Sequence, residues 1–252
     1  MWALFDRLAR PFVGLALAVI SDFWRLVPRP TDAPRVVTPG GSPLRLLLVG
    51  SGAAVGYGVL THELAMPGHL ARRLTATTRR GTIVDIVAHG DMTGAGYLEA
   101  LRTVALSKFD VIVATIGVNE ALSVSPIGAW QKNFARIIAH INGTVSERAQ
   151  TFFVGVPPIP AIGSYPWILQ RIWGRRARMV NAAMAAACAR HDRITFVEFS
   201  PPDASDADRH RSPDTYRLWA ELLVEPIRRS LSPAEPGSDP GPHRERRSPE
   251  RS

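Results

Sequence analysis

The sequence predicts an α/β fold: a three-layer α/β/α sandwich built around a parallel five-stranded sheet. Two observations predict it. Short apolar runs bounded by turn residues alternate along the chain with longer segments of helical periodicity. The chain has 252 residues, of which 46% are hydrophobic, which is enough for one substantial core. Alternating strands and helices place helices on both faces of a parallel sheet.

Each strand is predicted from a short run rich in Leu or β-branched residues. The five runs cover residues 44–50, 82–88, 110–117, 151–156 and 194–199. Helices are predicted at 67–79, 127–142, 168–190 and 213–230. Ligands of such sheets bind beyond the carboxyl ends of the strands, so functional residues should directly follow the strands.

The predicted domain covers residues 44–231 and has a different kind of segment on either side. Residues 232–252 are rich in Pro, Ser and Arg and predict a disordered tail. Residues 1–43 combine an amphipathic segment with a linker rich in Pro and Gly from residue 29.

The uncharged stretch 11–21 of the N-terminal segment is too short to span a bilayer, which needs about 20 apolar residues. Three alternatives remain for the N-terminal segment: packing on the domain, peripheral membrane contact through residues 1–28, and a signal or anchor sequence. No small-x-small cleavage site follows, which favours a cytoplasmic or peripherally membrane-associated protein over a secreted one.

Charge and cysteine content narrow the range of partners. The net charge is +8, but the basic residues are dispersed and only Lys108 and Lys132 are lysines, so we expect no nucleic-acid partner. The densest basic cluster, Arg171, Arg175, Arg176 and Arg178, indicates either a solvated helix face or a surface for an anionic ligand or membrane. Cys188 is the single cysteine, and the histidines show no ligand spacing. We therefore predict no metal.

The end of the first predicted strand has three interpretations. Ser51 lies between Gly50 and Gly52, within the sequence GSGAAVGYG. A dinucleotide-binding turn would need a small residue where Val55 stands and a helix that starts at once. A nucleophile loop would expose the Ser51 hydroxyl and let a substrate approach the glycine backbone. A tight turn without chemistry is the third interpretation.

Three more residues stand at positions suited to acyl chemistry. Gly90 follows the second strand and can offer its backbone N–H to an oxyanion. Asn119 follows the third strand, where its amide can stabilise a developing negative charge or simply cap a turn. His210 precedes the last helix, where it is either a general base or a solvent-exposed loop residue.

Together these segments resemble the SGNH/GDSL hydrolases over residues 44–230. The matching blocks, in order, are GSGAAVGYG, HGDMTG, IGVNEAL and DADRHRSPDTYRLWA, with GVPP after the fourth strand. The resemblance implies a flavodoxin-like sandwich and hydrolysis of small-molecule esters, thioesters or acetylated sugars without a cofactor. It also implies that Gly90 and Asn119 form an oxyanion hole and that His210 activates a serine. Asp208 would orient His210, with Asp206 as the alternative.

The nucleophile block departs from the family pattern. In ungapped register the family's serine falls on Gly52, and Ser51 stands one position earlier. Either Ser51 acts after a one-residue slip, or the site lacks its nucleophile. Two functions follow: a Ser-dependent hydrolase of acyl or acetyl esters that uses Ser51, His210 and Asp208, or a protein of this fold that binds an acyl, glycan or membrane ligand without hydrolysis.

Substrate contacts are expected at Gly52 and Trp167. Trp167 belongs to an apolar loop that either lines an acyl pocket or packs on itself; its large residues are Ile159, Ile162, Tyr165, Trp167 and Ile168.

Overall fold

The structure is a computed structural model that describes Gly14 and residues 24–163, 165–199 and 212–231. Six strands occur in this part of the chain: β1 (Arg35–Thr38), β2 (Leu44–Gly50), β3 (Thr82–Ala88), β4 (Val111–Thr115), β5 (Gln150–Val154) and β6 (Ile194–Val197). The same ranges contain the helices α1 (Met66–Thr78), α2 (Gly94–Arg102), α3 (Val118–Leu122), α4 (Ile127–Thr144), α5 (Trp167–Cys188) and α6 (Pro213–Leu231). No helix within them is long and apolar enough to cross a membrane.

The six strands form one sheet in the order β1-β3-β2-β4-β5-β6. Strands β2 to β6 are parallel, as predicted, and the three-layer α/β fold is confirmed. The sheet has one strand more than predicted, because β1 pairs antiparallel with β3. β1 lies in the segment interpreted as a linker. It was missed because it has only four residues and follows a proline-rich stretch.

One face of the sheet packs against α2, α4 and α5. Its core contains Leu47, Ile112 and Phe153 from the strands, together with Trp130 and Trp173 from the helices. The rings of Phe134 and Phe153 meet edge to face at 4.7 Å, which joins α4 directly to β5.

The other face packs against α1 and α6. Alternate residues of the same strands point this way, among them Leu46 and Leu48 of β2. Tyr216 and Trp219 of α6 are buried here, and the Tyr216 hydroxyl donates to the Tyr57 carbonyl at 2.8 Å. This bond ties α6 to the loop after β2, at the carboxyl end of the sheet.

Two short helices were missed by the sequence interpretation. Helix α2 begins at Gly94 and contains a second glycine, which weakens its helical pattern. Helix α3 follows β4 closely and has only five residues, which is too short to show a helical pattern in the sequence. Both matter to the site, because they lie at the carboxyl ends of β3 and β4.

Candidate functional site

A cleft of about 1140 Å³ opens at the carboxyl ends of the parallel strands. Gly52 after β2, the segment 88–91 after β3, and Val118 and Asn119 after β4 line it. The segment before β1 forms the opposite wall through Trp24, Arg25, Arg29, Pro30, Thr31, Asp32 and Pro34. The cleft therefore lies where parallel α/β sheets bind their ligands.

Ser51 is buried, with only 1% of its surface exposed, and it contacts Tyr97 of α2. Its Oγ lies 3.1 Å from the phenolic oxygen of Tyr97. The phenol donates its single hydrogen to the Thr115 carbonyl, so the Ser51 hydroxyl must be the donor to Tyr97. Burial raises the pKa of Tyr97 above its ordinary value, which keeps the phenol neutral and the chain of hydrogen bonds intact. As a nucleophile Ser51 stays a prediction, and this geometry gives it no support.

Gly52, one residue later, faces the cleft. Its backbone adopts φ +60°, the left-handed conformation that glycine accepts without strain. A Cβ placed on it would have Val118 Cγ1 at 3.4 Å as its nearest neighbour, an ordinary contact. The position where the family pattern has its serine therefore has room for a side chain but lacks one.

Asn119 holds the loop after β3 in place. Its Nδ2 donates both hydrogens, one to the Gly90 carbonyl at 2.9 Å and one to the Met92 carbonyl at 2.8 Å. A Cβ on Gly90 would collide with the Tyr57 hydroxyl, so a larger residue there would require the Tyr57 side chain to move. The structure thus brings Gly90 and Asn119 together in the cleft, but the Asn119 amide donates to backbone rather than to open space.

The backbone N–H of Ser51 is also engaged. It donates to the Thr115 carbonyl at 3.0 Å, and the Thr115 hydroxyl donates to the Ser51 carbonyl at 2.8 Å. An oxyanion hole that used this N–H would have to break its hydrogen bond to the Thr115 carbonyl. The oxyanion role of Gly90 and Asn119 remains a prediction.

Glu120 is a buried carboxyl behind the cleft. It is 5% exposed, and its Oε1 accepts the backbone N–H of Gly94 at 2.5 Å, at the start of α2. Its Oε2 has no hydrogen-bond partner in the described part of the chain. Burial raises the pKa of Glu120, and the backbone hydrogen bonds oppose this only in part.

His210, Asp208 and the alternative Asp206 lie outside the described residues. Trp167 is 69% exposed and lines a separate groove beside α5, whereas the residues lining the cleft do not include it. No group of three or more His, Cys, Asp or Glu side chains suited to a metal occurs within the described ranges.

The sequence interpretation missed one ionisable pair in the cleft wall. His62 is 7% exposed, and its Nδ1 lies 2.8 Å from Asp32 Oδ1, off the line of a hydrogen bond. Both Asp32 carboxylate oxygens accept the His62 backbone N–H at 3.1 Å. No local signal could have found this pair, since its partners are 30 residues apart.

Fold and site together define a three-layer α/β/α protein with a ligand cleft at the carboxyl ends of its strands. Residues 48–221 match the model of the GDSL-like lipase/acylhydrolase family, and the chain belongs to this family. No curated protein matches the sequence.

Solved structures of similar fold share little sequence with this chain. TesA is 18% identical with a TM-score of 0.57, covering 74% of this chain and 99% of TesA. The lipase Lip_vut3 from a goat rumen metagenome is 17% identical with a TM-score of 0.56, covering 75% and 97%. Axe2, an acetylxylan esterase from Geobacillus stearothermophilus, is 13% identical with a TM-score of 0.55, covering 75% and 95%. These similarities confirm the fold.

Proposed function

We propose that the protein binds the acyl part of a carboxylic ester or carboxylate in its cleft, and that it forms no acyl-enzyme at Ser51. The observation behind this proposal is the arrangement at the end of β2. The only hydroxyl in the GSG turn is buried against Tyr97, and the residue that faces the cleft is Gly52.

The chemistry of ester cleavage explains why this arrangement matters. A serine nucleophile must lie about 3–3.5 Å from the carbonyl carbon and beside a general base. The Ser51 hydroxyl instead donates its hydrogen inside the core. To attack a ligand it would have to leave Tyr97 and come out of the core.

The hydrogen-bond donors near the cleft support the same proposal, because backbone carbonyls already occupy them. The Asn119 amide and the Ser51 N–H both donate to backbone carbonyls. Catalysis gains most from donors that are already aimed at the developing oxyanion. Donors that stabilise the loop instead leave a cleft shaped for binding, with glycine backbone at Gly52 that a ligand can approach closely.

Ser-dependent ester hydrolysis is the second candidate. Membership of the GDSL-like lipase/acylhydrolase family favours it, as does the DADRH sequence before α6. In this alternative Ser51 attacks the ester, His210 accepts its proton, Asp208 orients His210, and Gly90 with Asn119 binds the oxyanion.

One set of variants separates the two candidates. Turnover of p-nitrophenyl acetate and p-nitrophenyl decanoate, and labelling by a fluorophosphonate, would be measured for wild type, Ser51→Ala and His210→Ala. Ser107→Ala removes an exposed hydroxyl and serves as the matched control. We expect Ser51→Ala and Ser107→Ala to behave like wild type, without labelling of Ser51. Loss of turnover and labelling in both Ser51→Ala and His210→Ala would establish the hydrolase instead.

Binding is tested directly by calorimetric titration with butyrate and with decanoate. Val118→Trp narrows the cleft beside Gly52, whereas Val37→Trp changes an exposed position of β1. We expect saturable binding that Val118→Trp abolishes and Val37→Trp retains. Absence of binding to either carboxylate, or equal binding by both variants, would contradict the proposal.

A further inference from the structure

A second groove, of about 1080 Å³, runs along the first half of α5. One wall is the proline-rich loop 156–160 and the other is α5 itself, with Glu198 and Phe199 at one end. Ile162, in the same loop region, lines the cleft. The chain between β5 and α5 therefore separates the groove from the cleft.

The helical wall of this groove presents an aromatic side chain followed by cations. Trp167, Arg171, Arg175 and Arg178 follow one another at spacings of four, four and three residues, so they share one face of α5. Trp167 is 69% exposed and Ile168 is 45% exposed. We call Trp167, Ile168, Arg171 and Arg178 the α5 face.

The two arginines of the α5 face form no ion pair within the described part of the chain. Arg171 and Arg178 are exposed, and neither has an ion-pair partner among the described residues. Several other surface arginines are paired, such as Arg72 with Glu63 and Arg73 with Glu221. An exposed tryptophan beside free arginines has charge and polarity that complement a layer of anionic headgroups over hydrocarbon.

We propose that the α5 face docks on an anionic phospholipid surface. Trp167 and Ile168 enter the interfacial layer, and Arg171 and Arg178 contact lipid phosphates. Four properties support this occupant: the exposed indole, its apolar neighbour, two free cations on the same side of one helix, and a net charge of +8.

Vesicle co-sedimentation of the full chain tests the proposal independently of the function of the cleft. The vesicles would be phosphatidylcholine alone, or phosphatidylcholine with about 30 mol% phosphatidylglycerol, since anionic lipid supplies the attraction. We expect binding to the anionic vesicles that weakens with added salt. Trp167→Ala and the double variant Arg171→Gln/Arg178→Gln should each reduce the bound fraction about tenfold.

Matched variants remove the same groups from other surfaces. Leu60→Ala deletes a side chain that is 68% exposed, and Arg136→Gln/Arg148→Gln removes two exposed charges. Both should bind like wild type, and all variants should keep the wild-type melting temperature, because every changed side chain is exposed. Binding that persists in the α5-face variants would assign membrane contact to residues 1–28 and overturn the proposal. Equal loss in the two charge variants, or no binding to anionic vesicles, would overturn it as well.

Discussion

The ends of β2 and β4 differ in what their polar side chains do. At β4, Asn119 and Glu120 each reach across to the loop after β3 and fix it through backbone groups of Gly90, Met92 and Gly94. At β2, Ser51 turns into the core, and Gly52 leaves an open place in the cleft. The β4 end carries the asparagine of the family pattern, whereas the β2 end departs from the pattern at Gly52. The cleft thus keeps its loop contacts at the end of β4 while Gly52 at the end of β2 carries no side chain, because different strands supply the two.

The strongest test of this contrast fills the empty position. Gly52→Ser places a hydroxyl in the cleft, and we expect p-nitrophenyl acetate turnover to rise about 100-fold over wild type, in the range of nucleophile and base catalysis. The φ of +60° makes any side chain costly, so the variant should lose about 1–2 kcal/mol of stability. Ala53→Ser, one residue further on, is the matched control and should stay at the wild-type rate. An unchanged rate in a folded Gly52→Ser protein would show that the missing hydroxyl is not what limits the site.

Removing the Tyr97 hydroxyl tests the hydrogen bonds that hold Ser51 in the core at the end of β2. Tyr97→Phe leaves the Ser51 hydroxyl and the Thr115 carbonyl without their shared partner, which should lower the free energy of unfolding by about 1–3 kcal/mol. Ser51→Ala should cost less, because Tyr97 still donates to Thr115. Urea denaturation of both variants measures the difference, and a larger loss in Ser51→Ala would contradict this hydrogen-bond order.

The β4 end can be weakened in the same way. Asn119→Ala removes two side-chain hydrogen bonds from a half-buried site, and we expect a loss of about 1–2 kcal/mol. The loop after β3 should also become more mobile. Hydrogen exchange would show faster exchange of the Met92 amide, whereas Asn142→Ala, on an exposed part of α4, should leave that amide unchanged.

We expect Glu120 to have a smaller effect, one that makes the stability of the fold depend on pH. Burial raises its pKa in the folded protein above the value in the unfolded chain, so the folded state binds the proton more tightly. Stability from this group is therefore present at acidic pH and lost as pH rises through the folded pKa. Glu120→Gln keeps an acceptor for the Gly94 N–H but cannot ionise. The variant should gain stability relative to wild type on going from about pH 4 to pH 7, as measured by thermal melts; a gain in the opposite direction would refute the assignment.

Much of the fold could be predicted from the sequence because the strands are continuous apolar runs. β2 and β3 have the predicted bounds, and β4, β5 and β6 differ from prediction only at their ends. The departure from the family pattern at Gly52 could also be predicted, because aligning the GSG sequence with the family motif is enough to show it. The burial of Ser51 could not be predicted, because Tyr97 lies 46 residues away and only the packing of α2 on the sheet brings the two residues together. The Asp32–His62 contact was missed for the same reason.

The short strand β1 has a practical consequence for the way this protein is handled. The family match begins at residue 48, inside β2, and gives no sign that β1 belongs to the sheet. A recombinant fragment begun at Leu44 would expose the edge of β3 that β1 covers along residues 82–85, and would leave backbone groups there unpaired. Exposed edges of this kind template intermolecular strand pairing. Such a fragment should self-associate, and light scattering would detect this, even though the fragment still contains Gly52, Gly90 and Asn119 of the cleft.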